Sequence, residues 1–265
     1  MNRLTFPMCC DRKHACYVAI MQILKKSFIA LAAAAGAAAV LPAAVHAEAK
    51  PLVYVIGGFI APGNMYEPLN SHLRGAGFDV EPLWLTGLDH RADANRLKGI
   101  VDGRKRTNPS RDISILTHSN NALVDRYYLK VLGGSKDVKR SVVLGGVEYG
   151  SPTGCMLPAP ANQSCNGSAL INQLNAGLDT PGPTEYYSIR STRDPLSGDL
   201  DGRQCRASVQ GYLPAAASVD HAWLGWDPRV VPLVISSLKG TCPGQWVTSP
   251  EGSVTYENSV DMNRK

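Results

Sequence analysis

Short apolar runs and helically spaced segments alternate along this chain from Leu52 to about Lys239, and that alternation constrains its fold more than any other feature. "LVYVI" (52–56) is a continuous apolar run followed by glycines, the pattern of a strand buried on both faces. "MYEPLNSHLRGAG" (65–77) has helical spacing and ends in glycine, "FDVEPLWL" (78–85) reads as a strand, and "ADANRLKGIVDGRKR" (92–106) is an amphipathic helix. Further strands are expected over 112–116, 140–146, 184–190 and 207–213, and further helices over 121–132, 168–177 and 228–240. This order predicts a mostly parallel central sheet with helices on both faces, an α/β fold in a single domain. No internal repeat or long linker interrupts it. From Pro243 onward the chain is polar and rich in Gly and Ser, which predicts a loosely ordered tail.

The N-terminus has a different character. From Met21 two lysines precede an Ala-rich apolar stretch that ends in small residues at Val45-His46-Ala47, the pattern of a secretory signal with its cleavage site. The apolar run falls short of the ~20 residues a comfortable membrane span needs. Residues 1–20 lack an apolar core, so Met21 is the expected true start. The chain therefore divides into an N-terminal extension and signal (1–47), a folded domain (48–242) and a tail (243–265). Export to the periplasm or the medium follows, with no stable membrane span once the signal is removed. The formal charge of +5 is mostly a property of that leader: residues 48–265 carry 22 basic and 21 acidic side chains. Such a balance argues against a nucleic-acid partner. The oligomeric state leaves no mark in the sequence.

Four cysteines remain after the leader: Cys155, Cys165, Cys205 and Cys242. An even number in an exported chain favours disulfides, and three pairings are open. The favoured set is Cys155–Cys165, closing a short Pro-rich loop, with Cys205–Cys242 tying down the C-terminal end. The absence of C-x-x-C argues against a zinc ribbon or a thioredoxin-like motif.

In open parallel sheets, functional groups gather beyond the carboxyl ends of the strands. Ser119 follows the strand at 112–116, Asp194 the strand at 184–190, and His221 the strand at 207–213. The chain order Ser, Asp, His is that of a serine hydrolase of this architecture. A serine hydroxyl becomes nucleophilic when an imidazole takes its proton, and the imidazole needs a carboxylate on its other nitrogen. Plainer readings exist for each residue. Ser119 could be a helix N-cap, His221 a surface histidine, and Asp199 or Asp201 in "SGDLDG" could replace Asp194 as the acid or form a solvated turn. Two carboxylates are too few to predict calcium. No metal and no cofactor is expected. His72 and His90 fall on surface patterns.

These pieces together carry a resemblance. "VYVIGGF", "ILTHSNNALVDRYYLK", "VVLGGVEYGSP", "YYSIRSTRDPL" and "VDHAWL", in this order and followed by a terminal helix, resemble the small bacterial lipases of the α/β-hydrolase fold, the lid-poor class that includes the Bacillus subtilis lipase. The resemblance spans Leu52 to about Lys239 and implies a secreted lipase or carboxylesterase. Ser119 matches the nucleophile, His221 the general base and Asp194 its orienting acid. It also implies oxyanion donors from the backbone N–H groups of Asn120 and Phe59, so those side chains are free to vary. His118 matches a position that packs rather than reacts.

The chain departs from that pattern at two places. Gly57-Gly58 stands where His-Gly is usual, a mild change. The nucleophile turn, normally G-x-S-x-G, has Thr117 and Asn121 in place of its glycines. Asn tolerates unusual backbone conformations, so the expectation is a slightly widened turn that still exposes Ser119, with Asn121→Gly leaving activity equal or raised. "GCMLPAPANQSCNGS" (154–168) is expected to wall the acyl pocket, or to be a surface loop pinned by its disulfide. Trp223 and Trp226 are read as anchors of the last helix. Two rival functions remain: an extracellular polyester depolymerase with the same three residues, and an inactive hydrolase fold kept for binding, which the altered turn favours.

Overall fold

The computed structural model describes residues 49–211 and 217–260. The expected leader (1–47), the end of the strand expected over 207–213 and residues 261–265 lie outside them. Seven strands form one sheet: β1 (Leu52–Ile56), β2 (Asp79–Leu83), β3 (Ile113–His118), β4 (Arg140–Leu144), β5 (Glu185–Ser191), β6 (Gly202–Val209) and β7 (Gln245–Ser249). Their order is β2-β1-β3-β4-β5-β6-β7. The first six are parallel, and β7 runs antiparallel to β6. Pro82, which can donate no ladder hydrogen bond, falls on the edge strand β2, where it is tolerated.

The apolar runs explain the layers. Alternate residues of β1 feed opposite faces: Leu52, Tyr54 and Ile56 enter one core, and Val53 and Val55 the other. The first core packs against α2 (His90–Thr107) and α3 (Ala122–Arg126), through Leu97, Val101 and Leu123. The second packs against α1 (Glu67–Gly75) and a later helix over Val230–Leu238, through Leu69, Leu73, Val230 and Val234. Each fully buried aliphatic side chain contributes about 1.5–3 kcal/mol relative to exposure. The intervening helices are α4 (Ala169–Asn175) and α5 (Ala217–Trp223), so the Val230–Leu238 helix is α6, and α7 (Tyr256–Ser259) ends the described chain. The helix expected over 121–132 starts as a 3₁₀ turn at Ser119–Asn121, continues as α3 and finishes in a π turn at Tyr127–Val131.

Two expectations need correction. The sixth strand begins at Gly202 rather than at Ala207, because its polar residues have partners: Arg203 lies over the Trp246 ring at 3.8 Å. The tail is not loose over its described part. Gln245–Ser249 adds the antiparallel edge strand, Val254 joins a small core with Tyr149 and Leu200, and the Ser259 carbonyl accepts from buried Arg190 at 3.2 Å.

Both disulfides join the favoured partners, Cys155–Cys165 and Cys205–Cys242. The second links β6 to the approach of β7 across a sequence separation of 37. Loop-closure entropy for a loop of that length is worth roughly 4 kcal/mol. Replacing Cys205 and Cys242 together by serine is expected to lower Tm by about 10 °C, read by calorimetry. A shift of a degree or less would mean that β7 holds itself in place without the bond.

Candidate active site

β3 is buried along its whole length, and the chain must turn sharply where it leaves the sheet. Ser119 makes that turn with φ +58, in the left-handed region that L-residues seldom occupy. The turn lifts its hydroxyl beyond the strand end. The Ser119 Oγ lies 2.7 Å from His221 Nε2, and His221 Nδ1 lies 2.8 Å from Asp194 Oδ2. β5 ends just before Asp194, and α5 carries His221. The carboxylate can only accept, so His221 Nδ1 donates to it, and Nε2 is the ring nitrogen placed to accept from Ser119.

Asp194 is fully buried and well held. Its Oδ1 accepts from the Leu196 N–H at 2.9 Å and the Ser197 N–H at 3.2 Å, while Oδ2 accepts from the Ser197 hydroxyl and from His221. Burial pushes its pKa up, but the His221 hydrogen bond and charge, together with the Ser197 and Leu196 donors, outweigh it and hold Asp194 below the ordinary carboxylate value. Gly145, at φ +55, lets the end of β4 approach: a Cβ there would fall 2.9 Å from Asp194 Oδ2. Asp199 and Asp201, the alternative acids, are engaged elsewhere. Neither forms a solvated turn: both are buried, Asp199 pairing with Arg206 and Asp201 accepting from the Asp179 and Gly252 N–H groups.

A pocket of about 250 Å³ opens beside Ser119. Phe59 and Asn120 line it with the serine, Val147, Leu157 and Leu196 supply apolar walls, and Gly154 and Ser164 bring in the 154–168 loop. That loop is thus both pocket wall and disulfide-pinned. The Phe59 loop requires glycine before it, since a Cβ on Gly57 would sit 2.1 Å from the Ala61 carbonyl oxygen.

A second chain of hydrogen bonds, missed in the sequence, runs behind the first. The Gly58 N–H donates to Tyr66 Oη at 3.1 Å, Tyr66 Oη meets His118 Nδ1 at 2.7 Å, and His118 Nε2 meets the His221 carbonyl at 3.0 Å. Burial and the neighbouring His221 charge lower the His118 pKa to about 4, so its ring is neutral near pH 7. Burial raises Tyr66 to about 12, tempered by the Gly58 N–H. A carbonyl only accepts, so His118 Nε2–H donates to His221, the bare Nδ1 accepts from Tyr66, and Tyr66 Oη is free to accept from Gly58. His118 packs as expected, but as a connector. Tyr66→Phe strands Nδ1 and the Gly58 N–H, at an expected cost of about 1–3 kcal/mol. Its Tm should fall by several degrees in calorimetry; an unchanged Tm would remove the chain's structural role.

Other expectations fare variously. Trp226 stacks on Tyr66 at 4.7 Å and donates to the Met65 carbonyl at 2.9 Å, an anchoring role, whereas Trp223 is half exposed. His72 is exposed, but His90 is fully buried, because the start of α2 turns it inward. Burial holds the His90 pKa near 4. Asn121 was expected to use an unusual backbone conformation; it sits at φ −74, ψ −4, an ordinary helical value. Among the described residues no cluster of three or more His, Cys, Asp or Glu side chains is placed to hold a metal ion, and no helix is long and apolar enough to cross a membrane.

The architecture is the α/β-hydrolase fold. No family model matches the chain, and no curated protein matches it. Among solved structures it is similar to lipase B of Aspergillus fumigatus (TM-score 0.59, 18% identity, covering 75% of this chain and 54% of that one). It is also similar to phospholipase PlaB of Legionella pneumophila in complex with thio-NAD (TM-score 0.53, 11% identity, 80% and 61%). Est1E of Butyrivibrio proteoclasticus matches with a TM-score of 0.50 at 12% identity, over 74% and 88% of the two chains. The chain thus spans about half the length of the Aspergillus lipase. Likeness at these identities defines the fold alone.

Proposed function

We propose that this protein is an exported serine ester hydrolase of the lipase or carboxylesterase kind, acting through Ser119, His221 and Asp194. The observation that carries the reading is the continuous relay, 2.7 Å from Ser119 to His221 and 2.8 Å from His221 to Asp194, opening on a partly apolar pocket. Ser119 Oγ attacks the ester carbonyl as His221 Nε2 takes its proton. The N–H groups of Asn120 and Phe59 receive the oxyanion. His221 then protonates the departing alcohol, and an acyl-enzyme remains. Water, deprotonated by His221, then attacks that acyl group; the Ser119 Oγ–acyl bond breaks, His221 returns the proton to Oγ, and the acid leaves. The protein's own groups supply every proton transfer.

The lipase and esterase neighbours favour a carboxylic ester as substrate, a small-molecule or lipid ester. A 250 Å³ pocket suits a short or medium acyl chain. The two disulfides favour an oxidising compartment, periplasm or medium. Membership of the small lid-poor lipase class, and a leader ending at residue 47, belong to the same proposal, whereas the strand at Gln245–Ser249 carries the folded domain past residue 242. The reading of an inactive fold rests on Thr117 and Asn121, and a serine hydroxyl already on the imidazole weighs against it.

The deciding experiment uses oxidatively folded residues 48–265 with p-nitrophenyl esters from acetate to palmitate, together with a fluorophosphonate probe. Turnover that peaks at short or medium chains, with labelling of Ser119 located by mass spectrometry, is the expected result. Folded protein that neither turns over any ester nor labels would overturn the proposal.

A further inference from the structure

The side chain at the second altered position of the nucleophile turn is fully buried and points away from the helix it begins. Asn121 Nδ2 lies 2.7 Å from the Gly57 carbonyl, 3.1 Å from the Gly58 carbonyl and 2.9 Å from the Leu85 carbonyl. Two N–H bonds serve three acceptors, so one of them is shared. The amide therefore gathers the two loops that follow β1 and β2 onto the start of α3. Room for it comes from Gly87, at φ +69, where a Cβ would fall 3.0 Å from Asn121 Oδ1.

The Gly57 and Gly58 carbonyls belong to successive peptide planes. In a trans peptide the C=O and the following N–H point in opposite directions. The only cis peptide among the described residues is Ala159–Pro160, so both planes obey this rule. Fixing the Gly57 carbonyl on Asn121 turns the Gly58 N–H away, to Tyr66 Oη at 3.1 Å. Fixing the Gly58 carbonyl likewise turns the Phe59 N–H away from Asn121, and Phe59 lines the pocket with Ser119.

We infer that Asn121 is a positioning residue for the oxyanion site, holding the Gly58–Phe59 peptide plane so that the Phe59 N–H stays aimed at the developing oxyanion. This deepens the ester-hydrolase proposal and rests on it. The residue that departs from the usual glycine is therefore a gain for this chain: the amide supplies from the turn itself a brace that a glycine cannot make. It reverses the expectation drawn from sequence, in which Asn121→Gly left activity equal or raised.

The test is Asn121→Ala, which keeps a helical backbone and removes the amide. Loss of one oxyanion donor costs ~10²–10³-fold; in the variant the Gly58 carbonyl keeps its bond from the Ala61 N–H at 3.0 Å, so a plane that loses one of its two holders is expected to lose on the order of 10-fold. That loss should fall on kcat and kcat/KM together with KM unchanged, the signature of an interaction made in the transition state. The inhibition constant of an alkylboronic acid, whose tetrahedral adduct places an oxygen in the same site, should rise by a similar factor. The acid limb of the pH–rate profile should not move, because the Ser119–His221–Asp194 relay is untouched. A role in folding alone would lower Tm without separating kcat from KM or weakening the boronate. If Asn121→Ala fails to fold, Asn121→Leu, of similar size and with no donor, gives the same reading. Wild-type kcat in either variant, a loss carried by KM, or unchanged boronate affinity overturns the inference. An unaltered protein that turns over no ester and takes no fluorophosphonate fails before any variant is made, and that result overturns the hydrolase proposal itself.

Discussion

Ser119→Ala is expected to remove ester turnover by as much as ~10⁶-fold in kcat, the loss seen when a serine–histidine–aspartate system acting as one unit loses its nucleophile. Only Oγ disappears in the change. The φ of +58 at this position is already imposed by the end of β3 and the start of the 3₁₀ turn, and alanine tolerates it no worse than serine. Folding should therefore survive. The oxyanion donors and the pocket remain and can still favour attack by water, which sets a floor above the uncatalysed rate. Initial rates on p-nitrophenyl butyrate, with circular dichroism to compare the folds, check this. A loss of only a few-fold with the fold intact would mean that Ser119 is not the nucleophile, whatever its distance from His221.

Asp194→Asn is expected to cost about 10⁴-fold in kcat while changing almost no atom positions. The direction follows from the donors around the side chain. The Leu196 and Ser197 N–H groups at 2.9 and 3.2 Å hold Oδ1, so an asparagine keeps its carbonyl oxygen there and turns its NH₂ to His221. An NH₂ can only donate. His221 Nδ1 must then accept, and in a neutral ring the proton moves to Nε2, where it faces Ser119 and blocks proton transfer. The rate should fall with little change in KM, and fluorophosphonate labelling should slow in parallel. Near-wild-type turnover would show that Asp194 does not set the tautomer, and attention would pass to another carboxylate.

The sequence revealed the parts of the molecule whose signals are local. Strands buried on both faces must be apolar, so β1 and β3 announced themselves, and the polar residues following β3 and β5 pointed to Ser119 and Asp194, which the fold brings to the two sides of His221. The first half of β6 and all of β7 hid because a strand near a sheet edge keeps polar residues, and the partners that justify them, Arg203 over Trp246, lie 43 positions apart. His90 was misread because an amphipathic helix shows its period more clearly than its phase at the first turn. The contacts of Asn121 left no trace, since its three acceptors are backbone carbonyls and any residue carries one. Tyr66 looked like one face of a helix; its connection to His118 spans 52 residues and exists only after folding.

The Tyr66–His118 link has a consequence for how precisely the site must be built. The Gly58 N–H beside the oxyanion loop and the carbonyl of His221 are fastened to the two ends of one buried, neutral pair of rings. Under the hydrolase proposal these two groups belong to the oxyanion loop and the base, and a displacement of the ring pair would carry both in the same direction, as a common-mode drift. Chemistry at an ester carbonyl depends on the separation between those two groups and not on where they sit in the molecule. On that proposal, a buried spacer joining the two would leave their separation unchanged by any shift that it shares with both.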